Sequence, residues 1–176
     1  VLINYSHLSF LDVPFTESKV RWVNRLSGQY GGKALTEVLQ FGLAGPTKAR
    51  AYKINKYYTD DGIYFGSDFI FNGPFSPDVK LIGENIKNVF QPFIFFDGSY
   101  GKSYSYIEGE PDLDAYLINI GVGFKINFKT LRGDLTFSHP VDGKKMFFDE
   151  TLDDGFYSDE NPGDGTTVYF NIQYSF

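Results

Sequence analysis

Few side chains in this sequence are placed to do covalent chemistry. There is no cysteine, which removes thiolate nucleophiles, disulfides and Cys-ligated metals. The two histidines are His7 and His139. Tyr5-Ser6-His7 sets a hydroxyl beside an imidazole, but neighbours along a strand point to opposite faces, which separates a nucleophile from its base. His139 stands before Pro140 with no second ligand at metal spacing. No G-x-S-x-G elbow, H-E-x-x-H helix or phosphate loop occurs, and Gly31-Gly32 reads as a turn. Acids gather between 142 and 167 (Asp149, Glu150, Asp153, Asp154, Asp159, Glu160 and Asp164) among Gly and Pro breakers. Asp153-Asp154-Gly155 and Asp159-Glu160-Asn161 offer oxygen ligands there, but the spacing fits no EF-hand. A solvated loop is expected. The expectation is therefore no catalytic residue, no metal and no cofactor. A net charge of −6 with no basic stripe also argues against a nucleic-acid partner.

What the sequence does carry is a pattern of elements. Aromatic residues make up 19% of the chain, with 19 Phe and 13 Tyr, more rings than a soluble core needs and the kind of supply that aromatic girdles at two membrane interfaces use. No run approaches the roughly 18 apolar residues of a helical span, whereas a barrel strand needs only about 9–11 alternating ones. Alternation recurs. Ile118, Ile120, Val122, Phe124, Ile126 and Phe128 share one face against Asn119, Gly121, Gly123, Lys125 and Asn127. The last segment sets Val168, Phe170, Ile172, Tyr174 and Phe176 against Asn171, Gln173 and Ser175. Strands are predicted over 2–11, 20–30, 35–43, 63–71, 90–100, 116–128, 131–141 and 168–176. Short links (31–34, 129–130) alternate with long ones (44–62, 101–115, 142–167), as turns and loops do on the two sides of an outer-membrane barrel. The stretch 72–89 breaks that rule. A soluble sandwich gives the same alternation, so periodicity alone does not choose between them.

The order of motifs adds to this. Leu26-Ser27-Gly28-Gln29 is followed by Leu39-Gln40-Phe41-Gly42-Leu43-Ala44-Gly45, then Ala49-Arg50-Ala51-Tyr52, then Asp60-Asp61-Gly62. Further on come Phe95-Phe96-Asp97-Gly98-Ser99, Gly121-Val122-Gly123 and Ser138-His139-Pro140, and an aromatic residue stands last. From about residue 20 to 176 this resembles the end of the barrel in two-partner secretion transporters, the hemolysin/adhesin secretion-activation proteins of the outer-membrane assembly-factor superfamily. In that family an F-x-L-G-G strand leads into a long loop bearing V-R-G-[FY], and F-x-D-x-G follows on a strand. Ala44, Ala49, Ala51 and Ser99 depart from those patterns. Because Ala tolerates positive φ poorly, the loop tip is expected to be shaped differently from the family's.

The resemblance implies an all-β, antiparallel transmembrane β-barrel. Residues 1–176 would supply about eight strands, the C-terminal half of a roughly sixteen-stranded barrel, with no periplasmic recognition domain. It implies a cell outer membrane location and a pore, not an enzyme. Its partners would be outer-membrane lipid, a secreted polypeptide, and the barrel assembly machinery, reached through a C-terminal signal at Tyr174 and Phe176. It also implies that the long loop folds into the lumen, where Arg50, flanked by Ala49, Ala51 and Tyr52, pairs with Asp97 between Phe95 and Ser99 on the inner wall. Strand parity independently turns Asp97 away from Ile94 and Phe96, and so away from lipid. The alternative is a self-contained eight-stranded barrel with a structural, adhesive or lipid-modifying role, whose lumen side chains would fill.

Overall fold

In a computed structural model the chain is described at residues 1–12, 19–54, 57–71, 80–81, 83–109, 111–148, 156–160 and 165–175. The fold is all-β and its main body is one antiparallel sheet. The strands are β1 (Leu2–Asp12), β2 (Lys19–Gln29), β3 (Asp61–Phe71), β4 (Phe90–Ser103), β5 (Leu113–Phe128), β6 (Leu131–Phe148), β7 (Phe156–Glu160) and β8 (Thr167–Tyr174). Each of β1 to β6 pairs with the next in the chain. β7 and β8 both pair with β6, β7 along residues 144–148 and β8 along 131–138. Eight strands thus occupy seven positions. Among the described residues β1 and β8 are the two edges, and no pairing closes the sheet on itself. No helix among the described residues is long and apolar enough to cross a membrane.

Two sequence expectations are corrected. Residues 35–43 are not a sheet strand. They form a 3-10 turn at Glu37–Leu39 and a two-residue ladder, Phe41–Gly42 against Tyr58–Thr59. Some of their other backbone groups are taken by side chains, Leu35 N by Asp60 and Leu39 O by Gln29 among them. The stretch 142–167 is not loop throughout, because β6 runs on to Phe148 and pairs with β7. The ladder runs from Lys144↔Glu160 to Phe148↔Phe156. A register shift between Pro140 and Asp142 marks a bulge at Val141. The turn between β5 and β6 is tight, with Lys129 in the left-handed region at φ 51.

Register sorts the side chains onto two faces, because directly opposed residues of an antiparallel pair project the same way. One face carries Arg25, Tyr64, Asp68, Gln91, Asp97, Ser99, Asn119, Lys125, Arg132, Asp134, Thr136 and Ser138. Asp97, expected on the inner wall, lies on it with Asp68, Lys125 and Arg132. The other face carries Ile63, Phe65, Phe69, Ile94, Phe96, Ile118, Ile120, Val122, Phe124, Phe137, Val168, Phe170 and Ile172. The chain's own long loop packs on the polar face, and among the described residues the apolar face stands open: Ile120 is 49% exposed and Phe170 67%. A water-soluble sandwich does the reverse, burying the apolar face in its core. Near β1 the apolar face gains polar residues, His7, Ser9, Asn24 and Ser67, which partly satisfy one another. Ser9 Oγ lies 2.6 Å from His7 Nε2, and Trp22 Nε1 donates to Ser67 Oγ at 2.8 Å.

Candidate functional site

The loop between β2 and β3 reaches the polar wall because two acids pin its base. Asp60 is fully buried. Its Oδ1 accepts from Leu35 N at 2.8 Å and Gln40 Nε2 at 3.0 Å, and its Oδ2 accepts from Tyr104 N at 2.7 Å. Asp61 Oδ1 accepts from the backbone N–H of Gly31 and Gly32 at 2.6 and 3.1 Å. Past this base the chain turns at Gly45-Pro46, held by an Ala44↔Ala49 bridge, and Ala49 and Ala51 pack with Phe41, Leu43, Tyr52, Tyr57, Ala115 and Leu117. Ala49 and Ala51 are sealed, so small side chains are what the close approach to the wall demands. Among the described non-glycine residues only Lys129 has positive φ. Ala44 and Ala51 therefore sit in ordinary backbone, and the tip needs no left-handed residue at 51.

That approach delivers Arg50 to two carboxylates. Nε donates to Asp97 Oδ2 at 2.8 Å and Nη2 to Asp97 Oδ1 at 2.9 Å, a bidentate fork, while Nη2 also reaches Asp68 Oδ1 at 2.6 Å. The guanidinium lies 3.5 Å above the centre of the Phe95 ring, adding a cation–π contact on its face. Tyr64 OH donates to Asp97 Oδ1 at 2.9 Å, and Asn119 Nδ2 to Asp97 Oδ2 at 3.0 Å. Arg25 Nη2 shares Asp68 Oδ1 at 2.8 Å. Arg50 is 5% exposed and Asp97 0%. Burial works against the Arg50 charge, but its hydrogen bonds to Asp97 and the attraction of Asp97 and Asp68 outweigh it, so its pKa stands above the ordinary value. Buried charges need this kind of full pairing.

The other expected site residues fall around this fork. Ser99 Oγ donates to Leu43 O at 2.8 Å, tying β4 to the loop. The Tyr52 hydroxyl sits between Asp142 O (2.7 Å) and Ile118 O (3.0 Å), and burial pushes its pKa up to about 12. Lys48, half-buried beside the tip, donates to Gly42 O at 2.7 Å and lies 3.3 Å above the Phe41 ring. Burial lowers its pKa to about 8. Tyr174 is apart from all this, exposed on the apolar face. Phe176 and Asp153-Asp154-Gly155 lie outside the described residues.

Sequence reasoning did not assign Asp68 as a second acceptor for Arg50, nor Tyr64 and Asn119 as donors to Asp97. The signal was present in the alternation, since all three share the parity that turns Asp97 inward. Asp60 had no such signal, because its partners come from the loop. His7 pairs with Ser9 of its own face and not with Ser6. No protein family, curated protein or solved structure matches this chain.

Proposed function

We propose that this sheet is the C-terminal part of a transmembrane β-barrel of the outer-membrane type, whose polar face lines a conduit for a partner polypeptide and whose long loop plugs it. The inverted polarity of the sheet carries the reading. The charged and amide side chains face inward onto the chain's own loop, and the aliphatic and aromatic set is left for lipid. The lock at Arg50 fits a plug, being strong when made and breakable at one residue. Two-partner secretion transport is the family activity this arrangement agrees with.

Topology favours a larger barrel over a self-contained small one. Seven antiparallel positions leave β1 and β8 pointing the same way. Direct closure would set a parallel pair into an antiparallel wall. An odd number of further strands restores alternation, and about nine would complete a roughly sixteen-stranded barrel. The loop from 30 to 60 also needs room that side chains already fill in an eight-stranded lumen.

Because the chain has no native cysteine, single cysteines report cleanly on each face. Ile120→Cys and Gln173→Cys variants of the full-length protein in liposomes are treated with lipid-soluble and water-soluble maleimides. Ile120→Cys should react only with the lipid-soluble reagent and Gln173→Cys with both. Equal reaction of both sites with the water-soluble reagent would remove the membrane reading. In planar bilayers, Arg50→Ala should raise the open time of the pore, and an unchanged conductance record would remove the plug.

A further inference from the structure

The loop tip is fastened at a second place, on the strands that follow those holding Arg50. We propose that Tyr52 and the backbone of residues 51–52 form a latch on the C-terminal strand, so that withdrawing the loop and loosening β8 are one event. This rests on the reading of the loop as a movable plug.

The latch begins with a fault in the ladder. Asn119 pairs with Pro140 and Ile118 with Asp142, which leaves Val141 as the extra residue of a bulge. A bulge disrupts ladder pairing locally, and Pro140 has no N–H to give. The Tyr52 hydroxyl meets the carbonyls of Ile118 and Asp142 on the two sides of this fault, at 3.0 and 2.7 Å. Its ring is sealed in the same cluster as Leu43, Ala51 and Leu117. The next contacts run from the wall to the loop. Thr167 Oγ1 donates to Ala51 O at 2.7 Å, and Tyr169 OH donates to Tyr52 O at 3.2 Å.

Thr167 and Tyr169 belong to β8, an edge strand whose only ladder among the described residues is the one with β6 at 131–138. Within this chain one eight-residue ladder holds β8, and each side-chain bond from its first residues to the loop adds to that ladder. The tip therefore spans the wall from Asp68 on β3, through Asp97 on β4 and the bulge between β5 and β6, to β8. Arg50 and Tyr52 are two residues apart, so a tip that leaves one anchor strains the other. Tyr52 is here a positioning residue acting on the strand edge.

Hydrogen exchange of the full-length protein in nanodiscs tests this. Tyr52→Phe keeps the ring and removes the hydroxyl; Thr167→Val with Tyr169→Phe removes the two donors of β8. Each should speed exchange at residues 168–174 and their β6 partners by about tenfold, the effect of one or two hydrogen bonds on a local opening. Amides of β3 and β4 should keep their protection. Unchanged exchange in β8 in both variants would overturn the latch, as would a uniform rise over the whole sheet in the milder Thr167→Val single variant. The outcome is separable from the membrane reading. Should the cysteine reactivities refute that reading while β8 still loosens, the latch stands as a brace and the plug does not.

Discussion

On β4, Phe93, Phe95, Asp97 and Ser99 are all buried, while Ile94, Phe96 and Tyr100, one step along the same strand, stand open. The contrast continues on β5, where Leu117 and Asn119 are fully sealed and Ile120 and Val122 are not. Within one strand, then, the face that carries the polar groups is the one the protein covers and pairs, and the wholly apolar face is the one it leaves open. In water that distribution would be costly, because apolar area is what folding removes from solvent. In lipid it is the stable one, because unpaired polar groups are what must be hidden. The two faces are held by different physics, and each can be tested separately.

The largest effect belongs to the polar face. Asp97→Ala removes the acceptor of Arg50 Nε, Tyr64 OH and Asn119 Nδ2 together. It leaves a buried guanidinium with Asp68 alone, and should destabilise the folded protein by about 3–5 kcal/mol. Phe96→Ala, one residue away on the bare face, orphans no polar group and should cost clearly less. Urea unfolding of both variants in lipid measures the difference, and equal losses would erase the distinction between faces.

A smaller effect separates two glycines. A Cβ on Gly121 would stand 2.3 Å from the Phe95 ring and 2.3 Å from Phe137 O, whereas one on Gly98 meets nothing nearer than Phe96 at 3.8 Å. Gly121 makes room for the large ring on which Arg50 rests, so Gly121→Ala should cost about 1–3 kcal/mol. Gly98→Ala on the bare face should be neutral. A Gly121→Ala protein as stable as its parent would show that the wall beneath Arg50 is not closely packed.

These contrasts explain what could be read from sequence. The alternation of 118–128 and 168–174 placed most side chains of β5 and β8 on a face, because a period of two is a local property of the strand. Asp97 was readable in the same way. Residues 35–43 were misread because their apolar residues do unlike jobs. Phe41 and Leu43 seal the loop against the wall, while Val38 is 92% exposed, and Asp60 organises the turn from 20 or more residues away. Residues 142–148 were misread for the opposite reason, since Gly and Lys hid a strand that is made by its ladders to β5 and β7. That Arg50 reaches Asp97 depends on a loop path no local pattern encodes. Only the resemblance pointed to it; for Asp68 the alternation supplied the face and the fold supplied the contact with Arg50.

The smallest expected effect concerns pH. Lys48 is half-buried on the polar side, and its pKa falls from 10.5 to about 8 through burial. Between about pH 8 and 10.5 the folded chain has released a proton that the unfolded chain still holds, so stability rises with pH across that window. Below pH 8 the folded state bears the whole burden of the desolvated ammonium, and above 10.5 neither state is charged. The gain should stay under about 1 kcal/mol, since the group is partly open to solvent screening. Lys48→Met removes the titration, so the difference in unfolding midpoint between parent and variant should shrink from pH 7.5 to pH 10. Constancy of that difference would place the ammonium in water, and with it the loop tip away from the wall that Arg50 is supposed to hold it against.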